Sequence, residues 1–401
     1  MRRHPFCLCG GGALAALLLW PPPGFAAASA ADSSPPASAA APSTPAAAIA
    51  DYRRKLEAYT AARQKYEGEA EVYWSSIADK RRLRNAKRHS NKEILIEDYV
   101  LSQPPVYAGP PKPVDPSAPA ENERPPRPYV PVVADFLQSA AKYFNFVPRL
   151  PQSEIEYKRA YAAAAAAAGL TRDQAVRIYG FESGGNGKYD VQAGLEHPRP
   201  GAHAISPALG YNQLLATNSL ELLAEKGDGF LRVLRAQAEE LPGDARSALE
   251  KKIAVLKIMV DFGRSVPDDW NQHDRLANTA KGLGIHALNL DMDVGPLLQA
   301  QKLRDSVVFA RQKGYGATLT AAELEMMNLT GDGNGIDMVM MPAAWRERIP
   351  TANFFQQGGY ERNPVATRNN VVAKLLAATD ATMDQEVKLQ GARDLAALFV
   401  R

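Results

Sequence analysis

Eleven of the thirty prolines in this 401-residue chain fall between residues 104 and 131, in runs such as Pro110-Pro111-Lys112-Pro113 and Pro125-Pro126-Arg127-Pro128. Proline lacks a backbone N–H and fixes φ, so neither a helix interior nor a central strand can pass through such a stretch. It must be polyproline II or irregular chain, and it divides the sequence in two. Residues 101–131 therefore read as a Pro-rich spacer, and the compact part begins near Val132. With 46% apolar and 23% charged residues overall, the chain has the composition of a globular protein.

Residues 1–30 read as an export signal. Arg2 and Arg3 supply the positive end, Phe6 to Trp20 the apolar run, and Ala28-Ser29-Ala30 the small-x-small cleavage pattern. Cleavage after Ala30 would leave a periplasmic or secreted protein without Cys7 and Cys9, so disulfides and Cys-zinc sites are not expected. The net charge is +3, or +1 without Arg2 and Arg3, and gives no reason to expect a nucleic-acid partner. Residues 31–48, rich in Ala, Ser and Pro, read as a tether. Residues 49–100 read as helical, with Ile49, Tyr52, Leu56, Tyr59, Val72, Trp74 and Ile77 as apolar positions. Lys80, Arg81, Arg82, Arg84, Lys87 and Arg88 place six cations in nine residues. The run reads as a solvated helix face, with contact to an anionic wall polymer or membrane surface as the alternative. Residues 49–131 are the region that would meet an envelope protein partner.

From Val132 onward the pattern is helical, and the fold class is mainly α. Ser153 and Glu156 predict a capping box for a helix across Ala162–Ala168 that stops at Gly169. Thr171 and Gln174 predict a second, opening a helix that must end in Ser183-Gly184-Gly185-Asn186-Gly187, where three glycines oppose helix formation. Further helices are expected at about 218–225, 229–240, 244–262, 297–313 and 320–328. A short β-hairpin within 184–212 is possible.

Glu182 falls in the last turn of the second capped helix. The negative end of the helix dipole disfavours a charged carboxylate there, and Phe181 and Tyr179 would dry its surroundings. A carboxyl kept protonated near neutral pH is what a general acid acting on a glycosidic oxygen requires.

Glu182-Ser183-Gly184-Gly185 is followed by Ser206-Pro207-Ala208-Leu209-Gly210-Tyr211-Asn212-Gln213 and later by Met327-Asn328-Leu329-Thr330-Gly331. The order resembles the soluble lytic transglycosylase family, whose lysozyme-like domains carry Glu-Ser-Gly, then Ser-Pro with Gly-Leu-Met-Gln, then Ala-Tyr-Asn-x-Gly. Tyr211 and Asn212 stand where that family has Leu and Met. Met327 stands where it has a tyrosine that helps hold the catalytic carboxyl. The resemblance spans about residues 153–345 and implies a lysozyme-like domain over 132–401, with a helical insertion about 221–285 and a C-terminal extension. The separation of 115 residues between Gln213 and Asn328 fits a helical hairpin turning at Pro242-Gly243-Asp244.

The resemblance implies a lyase acting on peptidoglycan glycan strands, cleaving the bond between N-acetylmuramic acid and N-acetylglucosamine and leaving a 1,6-anhydro end. Glu182 would be the catalytic acid and base. Ser206, Tyr211, Gln213 and Asn328 would bind substrate, Ser206 to the sugar or to Glu182. Asp190 and Glu196, the acidic residues soon after Glu182, have no catalytic place in the motifs, and neutral replacement of either is expected to leave the rate. A hydrolytic muramidase, or a non-catalytic wall-binding or scaffold component, is the alternative. No cofactor or metal is expected. Asp332–Asp337 lacks the closing glutamate of a calcium loop and reads as an acidic turn. His197 and His203 read as a polar loop rather than half a metal site, and there is no nucleophile elbow or phosphate loop.

Overall fold

The computed structural model describes residues 46–117, 129–185, 187, 190–193, 204 and 206–399. The export signal, most of the tether, Glu196, His197 and His203 lie outside them. The described chain is helical, with isolated antiparallel bridges at Leu209–Leu214 and Pro350–Val371; much of 184–212, where a hairpin is expected, lies outside the described residues. Contacts separate it into two units, one ending at Pro128 and one from Tyr129 onward.

The first unit is built on α1 (Ala46–His89), a helix of 44 residues without proline. On its exposed part, Asp51 pairs with Lys55 and Arg63 with Glu67 at helical spacing. Ala70, Tyr73, Trp74, Ile77 and Arg84 are buried at intervals that put them on one face. The chain turns back after Asn91, which has a left-handed φ of 51°. It then runs along that face through a short 3₁₀ turn, Ile96–Asp98.

This arrangement corrects two expectations. The cationic run is not a solvated face: Arg84 is fully buried, donating to the Asp98 carbonyl at 3.0 Å with its guanidinium 4.4 Å from the Tyr99 ring centre. Lys87 binds the Asp98 carboxylate at 2.5 Å, and Lys80 donates to the Glu97 carbonyl. Three of the six cations therefore clamp the returning chain. The start of the Pro-rich segment is also no free spacer. Tyr73 Oη donates to the Ser102 carbonyl, and Tyr107 packs edge-on against Tyr59 and Tyr66. Prolines keep this arm out of helix, and aromatic contacts seat it on α1.

In the second unit, α2 (Val133–Phe144) is followed by α3 (Glu154–Ala167) and α4 (Arg172–Ser183). The capping box at α4 forms as predicted, Thr171 Oγ1 accepting from Gln174 N at 3.1 Å and Gln174 Oε1 from Thr171 N at 2.9 Å. At α3 the Ser153 side chain makes no cap bond; Glu156 instead accepts from Gln152 N at 2.7 Å. Glu156 thus reaches one residue further back than a capping box requires.

The expected helical hairpin is present as α5 (Ala216–Glu239) and α6 (Gly243–Gly263), but the two helices expected at about 218–225 and 229–240 are joined in one continuous α5. A Cβ on Gly227 would lie 2.4 Å from Val260 Cγ2. The glycine allows close approach to α6, and that packing outweighs its low helix propensity. Then come α7 (Trp270–Ala277), α8 (Ala280–His286), α9 (Gly295–Gln312), α10 (Ala321–Thr330) and α11 (Asp332–Met340). Asp332–Asp337, expected as an acidic turn, is the start of α11. Buried Ile336, Met338 and Val339 carry it against α10, and Ser306 Oγ donates to Asp332 at 2.6 Å.

The C-terminal extension holds short α12 (Ala343–Arg346), α13 (Gln357–Glu361) and α14 (Pro364–Arg368), then α15 (Val372–Glu386) and α16 (Gln390–Leu398). It is part of the same core, since α15 and α16 both pack on α4. Among the described residues no helix is long and apolar enough to cross a membrane.

Candidate active site

Two helices bring the site together. At the end of α4, Gly184 takes a left-handed φ of 74° and its N–H closes on the Gly180 carbonyl at 2.9 Å, leaving Glu182 half-buried in the final turn. On α10, Asn328 Nδ2 donates to Glu182 Oε1 at 2.8 Å. One helical turn earlier, on the same face, Glu325 is fully buried and its carboxyl lies beside that of Glu182. Glu182 and Asn328 are thus joined as the motif order implies, although Asn328 grips the carboxyl itself.

Burial raises the Glu182 carboxyl to about 7, against the lowering effect of its bonds to Glu325 and Asn328. Burial, with the adjacent Glu182 carboxyl, holds Glu325 well above the usual carboxylate range. Two neighbouring buried carboxyls disfavour ionising together, so the pair holds on to a proton above the usual carboxylate range. It titrates as a unit.

The sequence reading missed Glu325. The only signal is its spacing of three from Asn328, which has meaning once α10 is known to face α4. Met327, in the position of the expected tyrosine, is fully buried and brings no hydroxyl to Glu182.

The second motif forms a loop supported from beneath. Gly210 has φ 85°, and a Cβ there would lie 2.0 Å from Gln299 Nε2, so only glycine fits. Asn212 is buried, its N–H donating to Gln299 Oε1 at 2.8 Å and its Nδ2 to the Gln299 carbonyl at 2.7 Å. Gln213, with φ 45°, is half-buried and returns Nε2 to the Gly210 carbonyl at 2.9 Å. Ser206 Oγ accepts from Ala208 N at 3.2 Å. Among the described bonds neither Ser206 nor Gln213 is a partner of Glu182.

Tyr211 is a correction. It has no exposed surface and packs edge-on against Tyr157, Tyr161 and Tyr179, its hydroxyl donating to Glu154 Oε1 at 2.7 Å. Such a residue supports the loop from the core and cannot line a sugar groove. Asp190 is likewise fully buried. It accepts from Gly187 N at 2.7 Å and from the Tyr179 hydroxyl, and it pairs with the buried Lys158 at 3.3 Å. Its neutral replacement would break a buried ion pair, so the cost is expected in stability rather than in the rate per folded molecule.

His286 ties the loop to α5. The Pro207 carbonyl can only accept, so Nε2 at 2.9 Å carries the proton and Nδ1 accepts from Ser219 Oγ at 2.9 Å. Burial pushes this imidazole down to about 4. The folded state then binds fewer protons than the unfolded chain between the free value near 6.5 and about 4, so stability is lost as pH falls through that window. The expected cost is up to about 3 kcal/mol. Thermal midpoints from pH 7 to 4.5 should fall more steeply for the wild type than for His286→Leu. Parallel slopes would refute the assignment.

Among the described residues no group of three His, Asp or Glu is placed to hold a metal ion. No family model, curated protein or solved structure matches the chain.

Proposed function

We propose that this chain is a peptidoglycan lytic transglycosylase with a lysozyme-like catalytic domain, exported by residues 1–30 and acting on glycan strands in the periplasm. The observation that carries the reading is the pairing of Glu182 with Glu325 and Asn328. The two partners hold the carboxyl in place, and burial, against their lowering effect, keeps it protonated near neutral pH at a glycine-rich helix exit. As the glycosidic C1–O bond breaks, Glu182 passes its proton to the leaving oxygen. The resulting carboxylate takes the proton of the sugar's own C6 hydroxyl, whose oxygen closes on C1. Because the nucleophile is already held beside the reacting carbon, no water need be positioned. Ser206 and Gln213, half-buried in the loop of the second motif, are the positions proposed to meet the sugar.

The burial of the neighbouring carboxyl favours this over hydrolysis. Retaining hydrolases hold their two carboxyls ~5–5.5 Å apart and inverting ones ~6.5–9.5 Å apart, with the sugar or a water between them. Glu325 is fully buried beside Glu182 and presents no surface to a sugar or a water. Asp190 is enclosed in its own ion pair.

Digestion of purified sacculi by the mature chain, followed by mass analysis, tests the proposal. The expected products end in 1,6-anhydro-muramic acid, lighter by one water than hydrolytic products and without a reducing end. Dominant reducing-end products would make the chain a muramidase, and absence of turnover would leave a wall-binding component.

A further inference from the structure

Both carboxyl oxygens of Glu325 are buried, and no N–H or O–H from the rest of the described chain reaches either. Its side-chain neighbours are the Glu182 carboxyl and the Asn328 amide, whose Nδ2 is bonded to Glu182. An ionised carboxylate in such a place would have a nearby amide but no well-formed hydrogen bond to compensate its buried charge. A neutral carboxylic acid has one O–H to give, and Glu182 is there to take it. Glu182 is also held by Asn328, one turn along the same helix. Two donors from one face of α10 therefore converge on one carboxyl.

We propose that Glu325 is a positioning residue, a carboxylic acid that stays protonated in the folded protein and donates its O–H to Glu182. Its consequence for catalysis rests on the reading of Glu182 as the acid. When Glu182 gives up its proton, the carboxylate left behind is met by the Glu325 O–H and the Asn328 N–H. The donors strengthen the acid and fix the direction from which its free oxygen faces substrate. The Glu325 proton is never transferred: Glu182 regains its own from the C6 hydroxyl, and Glu325 ends the cycle as it began.

The surrounding charges do not reproduce this effect. Lys302 on α9 acts on Glu325 from a distance, without a hydrogen bond. On α11, Asp332 is bound by Ser306, and Asp337 lies further along the helix. On α15, Asp380 and Asp384 pair with Arg177 of α4, and Glu386 lies beside Gly180. Gln390 binds Asp394 on α16, and Lys158 on α3 pairs with Asp190 and Glu154. All of these remain in variants at position 325, so differences between variants report Glu325 alone.

The test uses the mature chain with Glu325→Gln and Glu325→Met. Gln keeps a donor and Met does not. If Glu325 is a neutral donor, Glu325→Met destabilises the Glu182 carboxylate. The high-pH limb of sacculus digestion then moves upward, and the rate at its optimum falls about tenfold, the worth of a hydrogen bond to a charged group. Glu325→Gln should recover most of that loss with the limb close to its wild-type position. If Glu325 is instead ionised, both variants remove a like charge and the limb moves downward in both, which overturns the proposal. Infrared difference spectra give a readout that needs no turnover. At roughly pH 8.5, about four units above a free glutamate, the wild type should keep a protonated-carboxyl C=O band that both variants lose. Dissolved sacculi without that band would sink the donor and spare the transglycosylase. The band without any turnover would uphold the donor and sink the transglycosylase.

Discussion

Glu182→Gln should lower digestion of sacculi by at least ~100-fold, the lower end of what a positioned general acid contributes. The substitution is nearly isosteric. Its amide oxygen can accept from Asn328 Nδ2, as Glu182 Oε1 does at 2.8 Å, and from the Glu325 O–H. What it cannot do is release a proton to a leaving oxygen. Stability should move the other way above neutral pH. The folded carboxyl is raised to about 7, so the native state holds a proton that the unfolded chain releases from about pH 4.5 upward. The wild type therefore loses stability as pH climbs from there to about 7, by an amount on the order of 3 kcal/mol. Glutamine has no proton to hold and escapes this loss. Denaturant midpoints should be close at pH 4.5 and favour the variant at pH 8. A variant that keeps most of the wild-type rate would show that Glu182 is not the acid.

Local signals carried the site as far as they could reach. Thr171, Gln174 and the glycines after Ser183 bound α4 by interactions within a few residues, so the position of Glu182 in a final turn is readable from sequence. Glu325 is not, because its chemistry depends on α10 lying against α4, more than 140 residues away in the chain, and nothing nearby marks it. Tyr211 failed for the same reason in reverse. Its motif position suggested an exposed loop residue, and only the packing of three other tyrosines shows that it points inward. Proline chemistry keeps the start of this arm out of helix, but its contact with Tyr59, Tyr66 and Tyr73 is tertiary. The helices expected at about 218–225 and 229–240 are one, because Gly227 between them packs against Val260, a contact that no local signal marks.

Asp190→Asn is expected to cost about 3–5 kcal/mol of stability, the range for removing one partner of a buried ion pair. Asp190 and Lys158 are at most 1% exposed, and the pair sits between Tyr179 and the chain leaving α4. With asparagine, the only carboxylate left to Lys158 is Glu154, at 3.4 Å, whose carboxyl burial already raises and which also accepts from Tyr211. Asparagine also brings an N–H₂ group to the place of Asp190 Oδ1, which has no partner now and would offer no acceptor to a donor. The damage should reach the site through Gly187, whose N–H on Asp190 fixes the exit from the Glu182 turn. Activity should therefore fall with temperature as the variant unfolds, and recover near wild type per folded molecule in the cold. Adding Lys158→Met removes the stranded cation and should restore part of the stability, giving a coupling that two independent sites would not show. A well-folded Asp190→Asn protein with wild-type denaturant midpoint and no turnover would contradict all of this. Asp190 would then be a catalytic carboxylate, and the chain would belong with the hydrolases.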